Sequence, residues 1–293
     1  MPELPEVETV RLGLAPVMEG ASIDKVELRR PDLRTAFPPD FARRLKGRKI
    51  VSLGRRAKYL LADLDSGDVL VMHLGMSGSF RIEADGKAAI AGTYYHPRSE
   101  RRSHDHVVFH LSNGATVVFN DPRRFGLMDL VPRADLEASK HFHAMGIEPL
   151  GNVLDGGTLA TLFAGRSAPL KSVLMDQRLV AGLGNIYVCE ALWRSELSPV
   201  RKAGTLATKA GKPKPGADRL AVAIREVLQA AIAAGGSSLR DHRRTDGELG
   251  DFQHEFAVYD RESEPCLRPG CHGVIRRMVQ AGRSTFYCPV CQR

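Results

Sequence analysis

The sequence lacks any apolar run approaching the ~18 residues that a membrane-spanning helix needs, and its first residues carry no apolar core of a secretory signal. A cytoplasmic location is the expectation that follows. It also lacks an internal repeat. Cysteine is scarce and unevenly placed. Cys189 stands alone, while Cys266, Cys271, Cys288 and Cys291 crowd the last 28 positions. In a reducing compartment such a cluster reads as metal ligands before disulfides. Acidic residues are outnumbered, 34 against 42 basic ones, for a net charge of +8 and a pI of about 9.4. That balance favours a polyanionic partner, either nucleic acid or an anionic membrane surface. What is present is 293 residues at 43% hydrophobic content, enough for two domains with a core each.

Along the chain, Val7, Val10, Leu14 and Val17 recur at helical spacing, so residues 5–18 are expected to form a helix that Gly20 ends. From 23 to about 130 the texture changes to short β runs: 26–28, 49–53, 59–64, 69–74, 79–82, 107–111, 116–119 and 127–131. Asp65-Ser66-Gly67-Asp68 and Ser112-Asn113-Gly114 read as hairpin turns. Many short strands closed by tight turns predict an antiparallel sandwich. Residues 83–102 lack periodicity and read as a loop. Pro132 and Pro149 bracket a change of texture, with a short helix expected over 134–142. Beyond Gly151 the pattern is helical at 159–163, 170–175, 186–193 and 218–234, the last stopped by Gly235-Gly236. The Lys- and Pro-rich 201–216 reads as a solvated linker.

Cys266-x4-Cys271 and Cys288-x2-Cys291 are paired-cysteine knuckles sixteen residues apart, joined by a β-hairpin with its turn at Gln280-Ala281-Gly282-Arg283. Two thiolates at each end of a hairpin suit closed tetrahedral coordination of one structural Zn²⁺, with no open position for catalysis. From Cys266 onward there are five arginines and no carboxylate side chain. A basic ribbon of this kind favours phosphate contact, with Arg283 at the tip. At the other end of the chain, removal of Met1 would expose the secondary amine of Pro2, a nucleophile able to form an iminium, beside Glu3 and near Glu6. On those residues alone a charged helix start explains the same pattern, with Pro5 in the first turn.

Six motifs in order along the chain turn that balance. They are Pro-Glu-Leu-Pro-Glu-Val-Glu-Thr from residue 2, Gly-Arg-Arg-Ala-Lys-Tyr-Leu at 54–60, His-Leu-Gly-Met-Ser-Gly at 73–78, Asp-Pro-Arg-Arg-Phe-Gly at 121–126, Gly-Leu-Gly-Asn-Ile-Tyr at 182–187, and the terminal cysteine hairpin. Together they resemble the formamidopyrimidine-DNA glycosylase family, in its formamidopyrimidine rather than its endonuclease VIII branch. The first knuckle is longer than is common there, and 83–102 and 201–216 look extended.

The resemblance implies an α+β fold. An N-terminal antiparallel β-sandwich lobe carrying the N-terminal helix would span 1–131, with a hinge at 132–149. A helical helix-two-turn-helix lobe would span 150–256 and a zinc-ribbon hairpin 257–293. It implies a monomeric base-excision-repair enzyme that binds double-stranded DNA in a cleft between the lobes and removes oxidised purines such as 8-oxoguanine and formamidopyrimidines. It would then cut the strand by β,δ-elimination. Pro2 would be the nucleophile, Glu3 the acid and proton shuttle, Glu6 a supporting carboxylate, Lys58 a phosphate contact acting in β-elimination, and Arg283 a phosphate contact acting in δ-elimination. Met76, Arg123 and Phe125 would fill the gap left by the everted base. His104, Arg166, Lys171 and Asn185 would contact DNA, and residues 237–253 would close over the base. The alternative is a non-catalytic DNA-binding scaffold, which loss of Pro2, Glu3 or Lys58 would favour; all three are present.

Overall fold

A computed structural model describes residues 2–84, 87–91, 102–237 and 252–293. It divides into two compact units, one of Met1–His143 with Ala231–Gln253 and the other of Ala144–Ala230 with His254–Arg293. None of the described helices is long and apolar enough to cross a membrane.

The first unit begins with helix α1, Leu4–Met18. Glu3 caps it through a capping box with Glu6, and Pro5 lies in the first turn, where its missing N–H costs nothing. Gly20, at φ +80°, lets the chain turn away after it. Then follow β1 (Ile23–Leu28), a short helix α2 (Phe41–Leu45), and β2 (Ile50–Arg56), β3 (Tyr59–Leu64), β4 (Asp68–His73), β5 (Ser79–Ala84), β6 (Lys87–Ala91), β7 (Asp105–Leu111), β8 (Thr116–Asn120) and β9 (Leu127–Pro132). They form two antiparallel sheets, ordered β2-β3-β4-β9 and β1-β7-β8-β5-β6. Alternate residues share one core: Leu60, Ala62 and Leu64 of β3 and Leu70 and Met72 of β4 with Phe80, Phe109, Val117 and Phe119 of the other sheet. Val7, Val10, Leu14 and Met18 of α1 enter the same core. Each such Leu or Phe contributes roughly 1.5–3 kcal/mol by leaving water.

Two expectations fail in this unit. Residues 83–102 are not all loop. Lys87–Ala91 pairs with β5 as an edge strand, which an alanine-rich segment does only because a partner strand supplies the hydrogen bonds. Residues 134–142 do not form a helix beyond a 3-10 turn at Arg133–Asp135. Lys140 and His141, adjacent in sequence, both bind the Asp129 carboxylate on β9, at 2.9 and 2.8 Å.

The second unit contains α3 (Gly156–Phe163), α4 (Leu170–Leu174), α5 (Asn185–Arg194), most of α6 (Pro215–Ala233), and the hairpin β10 (Arg276–Gln280) and β11 (Arg283–Tyr287). Asp155 caps α3 by accepting from the Thr158 N–H. The 201–216 stretch is not simply solvated. Ala203 and Leu206 sit in a 3-10 turn with their side chains buried, and Lys202 bridges to Pro169. The hairpin rides on α5. Glu190, buried in that helix, accepts backbone N–H bonds from Ala257, Val258 and Tyr259 at 2.9, 3.0 and 2.8 Å. Val258, Ile275 and Phe286 then pack with Cys189 of the helix.

Candidate nucleic-acid interface and metal centre

Of the residues expected to do chemistry, Pro2, Glu3 and Glu6 lie at the start of α1 and Lys58 in the β2–β3 turn. Pro2 is buried and immediately precedes Glu3 at the helix cap. Glu6 has both carboxylate oxygens engaged. One accepts the Glu3 N–H at 2.9 Å, and the other accepts the Ser237 N–H at 2.9 Å and its hydroxyl at 3.0 Å. Glu6 thus ties the helix start to the last described residue before 238–251. The expected closing segment falls almost wholly on those positions, which lie outside the described residues. Lys58 is only 7% exposed. It stands in a two-residue turn, since Arg56 pairs with Tyr59, and Ala57 takes a left-handed φ of +53°. Arg55 braces that turn, donating to the Ala57 carbonyl at 2.9 Å and to Glu8 of α1 at 2.9 Å. His73, across from Tyr59 on β4, is lowered to about 4, first by burial and then by the charges of Lys58, Arg34 and His141. It is therefore neutral near pH 7, and its Nδ1 accepts the Gly75 N–H at 2.9 Å.

Two loops of this unit present Met76, Arg123 and Phe125. Met76 is 39% and Phe125 42% exposed, although both are large and apolar. The Arg123 guanidinium lies 5.0 Å from the centre of the Phe125 ring. The loops touch at backbone level: a Cβ added at Gly75 would strike the Phe125 carbonyl carbon. His104 is half-buried. Its carbonyl accepts the Asp121 N–H at 3.0 Å, while its buried Nδ1 has no hydrogen-bond partner among the described residues.

In the second unit, Gly182-Leu183-Gly184 turns the chain between α4 and α5, and Gly184 is the cap of α5. Asn185, the first helical residue, donates through Nδ2 to the Ser284 carbonyl at 2.8 Å and to the Tyr259 hydroxyl at 3.4 Å. Its main-chain N–H belongs to the helix start, where backbone donors suit a phosphate. Arg166 is exposed, with Nε donating to the Leu162 carbonyl at 2.7 Å. Arg283 is exposed at the hairpin tip, where Ala281 and Gly282 have φ of +47° and +72°, the pattern of a tight two-residue turn. Lys171 differs from expectation. It is 2% exposed, and its ammonium donates to the Thr285 hydroxyl at 2.5 Å and the Ser284 carbonyl at 3.3 Å. Rather than standing at the surface, it fastens α4 to β11.

The four cysteine sulfurs of the hairpin lie within 4.8 Å of one another. Cys266–Cys291 and Cys271–Cys288 are 3.8 and 3.7 Å apart. A tetrahedron with Zn–S bonds of about 2.3 Å has sulfur–sulfur edges of about 3.8 Å, so the donor set fits zinc. Burial raises the Cys266 thiol, but the Trp193 indole N–H and the Arg268 backbone N–H outweigh it and hold it down to about 7. Cys291 is pushed by burial up to about 12. The site is a structural zinc centre.

Sequence reasoning overlooked Asp121 and Ser77. Both lie inside the quoted motifs, yet their roles depend on contacts 44 residues apart, which no local pattern displays.

Comparison with known proteins agrees along the whole chain. Residues 1–128 match the formamidopyrimidine-DNA glycosylase N-terminal domain, 145–243 its H2TH domain, and 263–293 the zinc finger found in FPG and IleRS. The chain is 65% identical to formamidopyrimidine-DNA glycosylase of Rhodopseudomonas palustris strain BisA53, covering 100% of both chains. It is similar to the Lactococcus lactis Fpg solved with abasic-site DNA, at TM-score 0.84, 31% identity and full coverage of both chains. It is also similar to a variant of that protein solved with Fapy-dG DNA, at TM-score 0.83, 31% identity and full coverage of both. The chain belongs to the formamidopyrimidine-DNA glycosylase family of zinc-finger DNA-repair enzymes.

Proposed function

We propose that this DNA glycosylase removes oxidised purines, 8-oxoguanine and formamidopyrimidines among them, and then cuts the strand as a lyase. The reading is carried by one observation: Pro2 and Glu3 are adjacent and buried at a helix start made rigid by the capping box. With Met1 removed, the Pro2 nitrogen attacks C1′ of the damaged nucleotide and the base departs with its bonding pair. Glu3 protonates the sugar ring oxygen, the ring opens, and the nitrogen lone pair forms the C1′ iminium. The iminium acidifies the C2′ proton. Its removal expels the 3′ phosphate, and a second elimination expels the 5′ phosphate. A secondary amine suits this because its iminium is permanently cationic. Glu3, as neighbour of the nucleophile, is within reach for proton transfer. Glu6 fixes the backbone that carries both, and Lys58 supplies a cation on the sugar–phosphate side.

Met76 and Phe125 replace the stacking of the everted base, and Arg123 hydrogen-bonds its orphaned partner. Asn185, Arg166, His104 and Arg283 hold phosphates, and Arg283, always protonated, acts by charge rather than by giving up a proton. When bound, zinc supplies rigidity to the hairpin and no chemistry. The enzyme works as a cytoplasmic monomer on duplex DNA.

The test is borohydride trapping. Incubation of the processed enzyme with 8-oxoguanine duplex and borohydride should yield a covalent complex mapped to Pro2. Absence of that adduct from protein shown by mass spectrometry to lack Met1 would overturn the mechanism. Faster cleavage of an oxidised pyrimidine duplex would redirect the substrate assignment.

A further inference from the structure

We infer that Asp121 is the positioning residue that aligns the loops presenting Met76, Arg123, Phe125 and His104. The inference rests on the reading of those residues as DNA contacts. Asp121 is 0% exposed, yet its polar groups reach several of the segments that build that surface. Its Oδ1 accepts the Ser77 hydroxyl at 2.6 Å. Its Oδ2 accepts the Gly126 N–H at 2.8 Å. Its own N–H donates to the His104 carbonyl at 3.0 Å, and its carbonyl meets His106 Nε2 at 2.9 Å. The Ser77 hydroxyl, besides donating to Asp121, accepts the Arg123 N–H at 3.1 Å. One carboxylate and one hydroxyl therefore set the residues flanking Met76 against those flanking Phe125.

These loops have no strand ladder to hold them, so the side chains settle their spacing. Filling the gap left by an everted base offsets an unstacking cost of a few kcal/mol only if the apolar side chains arrive together. A carboxylate suits the position because it offers acceptors on both oxygens to donors on opposite sides. Asparagine can retain most of this. Its carbonyl can take the Gly126 N–H, and its amide can donate to the Ser77 oxygen. Alanine leaves both donors buried and unpaired. An abasic site carries no base to unstack, so its cleavage depends less on the alignment.

The test uses full-length, Met1-processed enzyme carrying Asp121→Ala, Asp121→Asn, Ser77→Ala, or Met76→Ala with Phe125→Ala. Three quantities are measured for each: single-turnover release of 8-oxoguanine, cleavage of a preformed abasic site, and the fluorescence change of 2-aminopurine placed beside the lesion. Asp121→Ala and Ser77→Ala are expected to slow base release and the fluorescence step at least about tenfold, with abasic-site cleavage within about threefold of the parent and Asp121→Asn largely restored. Thermal melting identifies a folding defect. Asp121→Ala losing all three activities together with its melting transition, with Ser77→Ala unaffected, would overturn the proposal. So would normal base release in Asp121→Ala and Ser77→Ala while the double variant is slowed. If the double variant behaves as the parent, the gap-filling reading itself fails, and the proposal with it.

Discussion

At the scale of single residues, the interface turns on positions where a small change is not tolerated. Gly75 has φ +68°, and an added Cβ would strike the Phe125 backbone. Gly75→Ala is therefore expected to cost about 1–3 kcal/mol of stability through strain and displaced loops, and to slow base release, as denaturant unfolding and single-turnover assays would report. His73 gives a pH signature. Its folded pKa of about 4 lies below the ordinary 6.5, so the unfolded chain binds more protons between those values. Stability attributable to His73 is then complete above pH 6.5 and lost progressively as pH falls toward 4, by at most about 3 kcal/mol. His73→Asn should flatten that part of the pH–stability curve; an unchanged slope would contradict the assignment. Protonation would also turn Nδ1 into a donor facing the Gly75 N–H, so the loop carrying Met76 is expected to loosen over the same range.

At the scale of elements, Lys171 shows a cation turned inward, engaged by protein groups. Buried between α4 and β11, it holds the two together through Ser284 and Thr285, which directly follow Arg283 in sequence. Lys171→Met is expected to destabilise the protein by about 1–3 kcal/mol, because it takes the ammonium donor from the buried Thr285 hydroxyl, while the Ser284 carbonyl keeps the Asn185 amide. It should leave the slope of log Kd against log salt unchanged, whereas Arg283→Ala should reduce that slope by about one phosphate's worth. A Lys171 variant with the reduced slope would restore the DNA contact expected from the sequence. Elements with a strong period or a turn signature were legible. Tyr59–Leu64 falls on its expected limits, and α1 begins one residue early. Those that failed lacked local signals. β6 is a strand only because β5 offers an edge, Lys140 and His141 within 134–142 answer to one carboxylate on β9, and Leu206 hides in a run of lysine and proline.

At the scale of the molecule, net charge and zinc set the conditions for function. The charge of +8 favours duplex DNA, and binding is expected to weaken steeply as salt rises, which a titration between low and physiological ionic strength would measure. Zinc removal should do more than release the hairpin. Cys266 and Cys288 pack in one cluster with Ile275, Phe286, Val258 and Cys189 of α5. A chelator that strips one equivalent of zinc, counted by a chromogenic dye, is therefore expected to abolish DNA binding and broaden the melting transition. Retained affinity in zinc-free protein would show that the hairpin stands without its metal.

The sequence alone determined the family, the α+β class, the zinc ligands and the candidates Pro2, Glu3 and Lys58. Those properties are written in short motifs, cysteine spacing and hydrophobic period, all of which are local along the chain. Tertiary structure alone decided that Lys171 is an internal fastener, that Glu6 is bound to Ser237, and that Asp121 and Ser77 knit distant loops. The physical reason is that a charged or polar side chain has the same local signature whether it meets solvent, phosphate or a buried donor. Only the groups brought to it across tens or hundreds of residues decide which.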